Sequence, residues 1–163
     1  MDRVVPTLIV AAVIVGVFAL MWRGWSARQR AQAGIAEPLR PAPEATNGMA
    51  GEPGMYVVTT YADQPLERVS VHSLGLRTTA GLFAMDDGAL FRLSGVPDLF
   101  IPAADIVSVH TAAGMIGKFV EPEGLIVIRW RLGDQLLDTG FRPRSAAAGP
   151  ALIAALNHLI EED

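Results

Sequence analysis

The sequence predicts two parts of different kind: an N-terminal transmembrane α-helix, then a mainly-β domain folded as a seven-strand barrel with a C-terminal capping helix. Three observations predict it. Residues 4–22, VVPTLIVAAVIVGVFALMW, carry no charge. From Met55 the apolar residues alternate with period two through seven short runs, as half-buried strands require. After Phe141 the period becomes helical, with Leu152, Leu156, Leu159 and Ile160 in one stripe.

The 163 residues are 51% apolar and only 18% charged, and much of the apolar excess sits in that first run. The run spans roughly 28 Å, close to the hydrocarbon thickness of a bilayer. Val4, Val10, Val15, Leu20 and Trp22 fall on every side of it, whereas a core helix would show a polar stripe. Pro6 lies in the first turn, where its missing N–H costs little. Ala31 to Ala33, AQA, has the small-x-small form of a signal-peptidase site, but it lies beyond Arg23, Arg28 and Arg30, far from the end of the apolar run. An uncleaved anchor is therefore expected. The same three arginines outweigh Arg3 on the other flank, so the positive-inside rule places the C-terminal side in the cytoplasm and the N-terminus outside. Trp22 and Trp25 suit the headgroup zone. The expected organisation is an anchor with its flanks over residues 1–25, a flexible linker over 26–54, and a cytoplasmic domain over 55–163. The linker is assigned because SARQRAQAGIAEPLRPAPEATNGMAGEPG has hardly any large apolar residue.

Within the domain, MYVVTTYA is the first strand. RTTAGLFAM and ALFRL form a hairpin around Asp86-Asp87-Gly88, where glycine supplies a positive φ. DLFI stops at Pro102, and ADIVSVH follows it. LIVIRWRL and QLLDTGF are joined at Gly133-Asp134, and a two-residue turn there fixes their register. Trp130 then faces Leu137, Ile128 faces Thr139, and Ile126 faces Phe141, all on one apolar face. The other face pairs Arg129 with Asp138 as a solvent-exposed ion pair, worth about 1 kcal/mol or less. Gly149-Pro150 opens the last helix, with proline at its first position. A six-stranded barrel, or a sandwich with an appended helix, would give a similar string of elements.

The stretches DLFIPAADI, GMIGK, EGLIVIRW and LLDTGFR, in that order, resemble the pleckstrin-homology-like (PH-like) domain of small actinobacterial membrane proteins with one N-terminal helix. The resemblance runs from about Tyr56 to Ile160. It implies a PH-like barrel on the cytoplasmic side, and some such proteins are membrane- or transport-associated.

The chemical motifs point away from an enzyme. Ala112, four residues, then Gly117-Lys118 stop one position short of a nucleotide-binding P-loop. Phe119 stands where Ser or Thr must reach Mg²⁺, and Pro122 and Gly124 oppose the helix that would receive the phosphates. No nucleotide is expected. The three histidines, His72, His110 and His158, lack metal-ligand spacing, and the chain has no cysteine, so no metal or other cofactor is expected. From Met55 onward there are eight Lys and Arg against thirteen Asp and Glu, a net charge of −5, which disfavours nucleic acid and an anionic bilayer surface. Arg68, His72 and Arg77 after the first strand do not make a phosphoinositide site beside Asp63 and Glu67. Met115, Ile116, Lys118 and Phe119 instead read as an exposed protein-contact loop.

The expected function is a membrane-anchored, non-enzymatic interaction module that binds a protein partner at the cytoplasmic face of the plasma membrane. The alternatives are an accessory subunit of a transporter or envelope complex, for which Ala12 and Gly16 give small-xxx-small spacing, and a lipid-sensing domain. Topology is testable because the chain lacks cysteine: Asp87→Cys should resist an impermeant thiol reagent in intact cells and react after permeabilisation. Ready labelling of intact cells would reverse the assigned orientation.

Overall fold

The computed structural model describes residues 4–32, 34–41, 51–115, 118–119 and 124–161, in two compact units, Met1–Gly34 and Ile35–Asp163. The first holds α1, Val4–Ala31. From Val4 through Trp25 every side chain is exposed, so no face of the apolar segment is committed to a protein core. By length and composition this helix is able to cross a membrane. It outruns the expected anchor by two turns, because SARQRA contains neither glycine nor proline and is rich in good helix formers.

The linker expected over residues 26–54 is corrected at two places: its end belongs to the first strand and its middle docks, while its first turns continue α1. Ile35 is 7% exposed and lies in the main core. Its carbonyl accepts a hydrogen bond of 3.1 Å from His72 Nε2–H, and the Leu39 carbonyl accepts one of 3.1 Å from the Phe100 amide. One large apolar side chain and two carbonyls suffice to anchor a stretch whose composition reads as tether. Residues 42–50 of that expectation lie outside the described residues.

The strands of the second unit are β1 (Glu52–Tyr61), β2 (Gln64–Arg68), β3 (Thr78–Met85), β4 (Gly88–Leu93), β5 (Leu99–Pro102), β6 (Ile106–Ala112), β7 (Gly114–Met115), β8 (Lys118–Phe119), β9 (Leu125–Leu132) and β10 (Gln135–Pro143). The seven expected strands are all present. They form one curled antiparallel sheet in the order β5-β4-β3-β1-β10-β9-β6, with β2 added beside β1. The first and last strands, β1 and β10, pair from Gly54↔Pro143 to Tyr61↔Leu137, which merges what would otherwise be two sheets. The half-barrel stays open between β5 and β6. There α2 (Gly149–Glu161) packs on β6, β3 and β4, with Leu156 and Leu159 buried and Leu152 and Ile160 partly buried against the core. At the β3–β4 turn Gly88 has φ +152°, and a Cβ there would run into the Ile101 carbonyl of β5.

The β9–β10 register is the one the sequence predicts, from Leu132↔Gln135 through Trp130↔Leu137 to Ile126↔Phe141. Period-two reading of β1 fails, because a bulge between Tyr56 and Val58 inserts one extra residue. The bulge puts Tyr56 and Thr59, three apart, on the same inner face. Tyr56 packs edge-on to Phe91 at 5.7 Å, and Phe91 to Phe141 at 6.0 Å, arrangements that aromatic quadrupoles favour.

A chain of hydrogen bonds crosses this core. Trp130 Nε1–H donates to Thr139 Oγ1 at 2.8 Å, the two threonine hydroxyls of Thr139 and Thr59 meet at 2.7 Å, and Thr59 Oγ1 meets the Tyr56 hydroxyl at 2.6 Å. Tyr56 in turn donates to the Leu74 carbonyl at 3.0 Å. Each hydroxyl has one proton, so the carbonyl at the far end orients every donor: Thr139 to Thr59, Thr59 to Tyr56. Burial pushes the Tyr56 phenol well above its ordinary pKa, against a smaller lowering by the Thr59 hydrogen bond. It is a fixed neutral donor at physiological pH.

On the outer face Arg129 grips Asp138 with two hydrogen bonds, Nε to Oδ1 at 2.8 Å and Nη2 to Oδ2 at 2.9 Å. Nη2 also reaches Asp63 Oδ1 at 3.0 Å. The pair exists as predicted, but not as an open surface contact: the two side chains are only 24% and 12% exposed. Those hydrogen bonds hold the guanidinium pKa above its usual value despite partial desolvation. Thr60, paired with Asp138 across β1 and β10, is fully buried, and its Oγ1 has no hydrogen-bond partner among the described residues.

Trp130→Ala should cost about 3–5 kcal/mol, as large aromatic truncations in cores do. Arg129→Ala should cost about 2 kcal/mol, less than for a fully buried pair because solvent still screens it. Thr139→Val and Thr60→Val are isosteric and should part company. The first breaks two hydrogen bonds and should lose about 1–3 kcal/mol, while the second removes only an unpaired hydroxyl and should be neutral or stabilising. Urea unfolding midpoints of the four variants check this order.

Candidate functional site

Where β10 runs out past the barrel it carries Arg142-Pro143-Arg144. Arg142 lies opposite Met55 and Pro143 opposite Gly54, and the Arg144 amide donates to the Pro53 carbonyl at 2.8 Å. On the other edge of β1, Met55 lies opposite Thr79 of β3. Arg77, just before β3, brings Nε to 2.7 Å from Met55 Sδ. Arg142 thus stands in one row with Met55 and Thr79, and Arg77 and Arg144 approach the same groove from the two sides of β1.

These strand ends and the first half of α2 enclose a groove of about 1000 Å³. Pro150, Ile153 and Asn157 form its helical wall, and Thr111 of β6 and Gly124 close the far side. The helix wall follows from sequence: α2 buries Leu156 and Leu159 in the core, which turns Ala154 and Asn157 toward the groove. Gly54 lies at its base because a Cβ there would collide with the Phe141 ring and the Arg142 carbonyl. The described lining residues include three guanidinium groups and no carboxylate, in a domain whose net charge is −5. Arginine presents planar paired donors suited to carboxylate or phosphate oxygens, and the positive end of α2 adds to the same field. Among the described lining residues, an apolar wall and a cationic rim meet in one groove.

The residues singled out from sequence fall elsewhere. Val4, Val10, Val15, Leu20 and Trp22 are exposed along α1, as are Arg23 and Arg30, and Arg28 lies in its last turns. Of the expected contact loop, Met115 is not exposed. It is 7% exposed and packs with Val58, Leu125 and Val127 in a second, smaller cluster on the outer face, over Gly140, where a Cβ would come within 2.8 Å of Met115 Sδ. The missing side chain at Gly140 makes the space, which a reading of loop composition does not show. Lys118 and Phe119 pair with Met115 and Gly114 in the short β7–β8 ladder, and Ile116 lies outside the described residues. Lys118 thus sits in a strand, and the next described element is β9, not the helix a P-loop needs. Of Arg68, His72 and Arg77, the histidine is tied to Ile35, and Arg77 alone lines the groove. Arg142 and Arg144 were missed. Their signal was two arginines at strand spacing around a proline, immediately before a helix start.

A curled antiparallel sheet with a C-terminal helix across its opening defines a PH-like domain. The chain belongs to the Bacterial PH domain-like family, whose model matches residues 36–157, well over half of the sequence. The match begins beside Ile35, within the segment that docks on the sheet. No curated protein matches the chain.

Lys118→Ala should leave the unfolding midpoint within about 0.5 kcal/mol of the parent, and the parent should show no saturable ATP or GTP binding with Mg²⁺ in calorimetry. Nucleotide binding abolished by Lys118→Ala would restore the P-loop reading.

Proposed function

We propose that the chain is a membrane-tethered, non-enzymatic interaction module. In this reading α1 spans the plasma membrane once, with the N-terminus outside, and the PH-like domain binds a protein partner in the cytoplasm. The observation that carries it is the groove between α2 and the ends of β1, β3 and β10, with its mixture of apolar wall and arginine rim. Family membership supports it, since PH-like domains are in general recognition modules. The uncharged run of α1 and the arginines that follow it support the tether and its orientation.

The docking surface proposed here is the groove in place of the 115–119 loop, because Met115 is used internally. A photoreactive amino acid at Thr79, on the groove, should give a discrete protein adduct in intact cells. The same residue at Asp87, on the β3–β4 turn, should not. Equal labelling from both positions, or from neither, would remove the support for a specific module, and release of the chain by alkaline carbonate would remove the tether.

A further inference from the structure

The interaction reading leaves the partner's chemistry open, and resting on that reading we propose that the groove takes an extended acidic segment of a partner protein, with carboxylates on the arginine rim and apolar side chains against α2. Charge complementarity selects it. Three of the domain's eight basic residues, Arg77, Arg142 and Arg144, line this one groove. A ligand entering the groove meets these three groups at close range, whereas acidic residues more than a Debye length of about 8 Å away are screened.

The same comparison disfavours a bilayer surface. A flat anionic membrane meets a whole face of the domain and therefore its net negative charge, and it cannot follow a concave site. An extended segment does both things a membrane cannot: it enters the groove and presents its charges locally. The lining matches such a segment in kind. Ile153, Pro150 and Met55 offer apolar contact, Thr79, Thr111 and Asn157 offer neutral hydrogen-bonding groups, and the arginines supply the charged ones. A volume of about 1000 Å³ lies at the upper end of sites for compact ligands, more than a single phosphate or carboxylate fills.

The test uses the full chain in detergent micelles and a fluorescein-labelled peptide of about twelve residues in which Glu alternates with Leu and Val. Anisotropy should rise saturably with the Glu peptide and not with its Gln counterpart at the same concentrations, and the affinity should fall as salt is added. Arg77→Gln, Arg142→Gln and Arg144→Gln combined should weaken binding at least about tenfold. Thr79→Glu, an exposed position that adds a carboxylate to the groove, should do the same, with thermal unfolding confirming that each variant is folded. Equal binding of the Gln peptide, no binding of the Glu peptide, or unchanged affinity in both folded variants would overturn the proposal. So would displacement of the peptide by glycerol phosphate at matching concentrations, which would assign the groove to a phosphate headgroup. A partner crosslinked in cells from Thr79 through a neutral or basic segment would refute the acidic segment and leave the interaction module standing, whereas absence of any adduct would refute the module itself.

Discussion

The 2.7 Å contact between the hydroxyls of Thr59 and Thr139 is the constraint on which the domain's architecture depends. It is the middle of a one-way relay from the Trp130 indole to the Leu74 carbonyl, and every member is buried. Slipping β1 by one residue against β10 would turn Thr59 and Tyr56 outward together, leaving the Thr139 hydroxyl without its acceptor and the Leu74 carbonyl without the phenol. Each such group costs about 1–3 kcal/mol, so the register is specified by polar groups as firmly as by the apolar face. The bulge at Val57 belongs to the same constraint, because without it Tyr56 and Thr59 would point to opposite sides of the sheet.

The groove inherits that register. Met55 lies opposite both Arg142 and Thr79 only because β1 is held at Gly54↔Pro143 and Met55↔Arg142 on one edge and Met55↔Thr79 on the other. Arg129 acts on the outer face of the same strands, joining β9 to β10 through Asp138 and to the β1–β2 turn through Asp63. Core relay, outer ion pair and cationic rim are three readings of one strand alignment. A substitution in the core that shifts β1 would scatter the arginines without touching any of them.

What was legible in the sequence was local. The β9–β10 hairpin declared its register through one turn and a run of strict alternation, and α2 declared its buried stripe through Leu152, Leu156 and Leu159. The bulge was not legible, since MYVVTTYA alternates equally well without it. Nor was the docking of Ile35, one apolar residue in a stretch whose composition is that of a tether, or the burial of Met115, which depends on the absent side chain of Gly140. The groove escaped notice for a related reason. Its arginines come from positions 77, 142 and 144, and only the pairing of β1 with both β3 and β10 brings them to one groove. Composition does not show the rim either, because a net value of −5 conceals a local cluster of the opposite sign.

That pairing of first and last strands also has a consequence in time. Thr59 and Thr139 are 80 residues apart in sequence, so the central strand of the sheet waits for nearly the whole domain to be synthesised before it finds its neighbour. Closing so long a loop costs entropy before any contact returns it, and folds dominated by such contacts form slowly. Until Phe141 has left the ribosome, β1 has one unsatisfied edge and Thr59 lacks the Thr139 hydroxyl it meets in the core. The apolar helix at the N-terminus, whose hydrogen bonds are all local, is complete long before. Maturation is thereby ordered from within: the N-terminal helix first, and the PH-like domain only once its last strand is available.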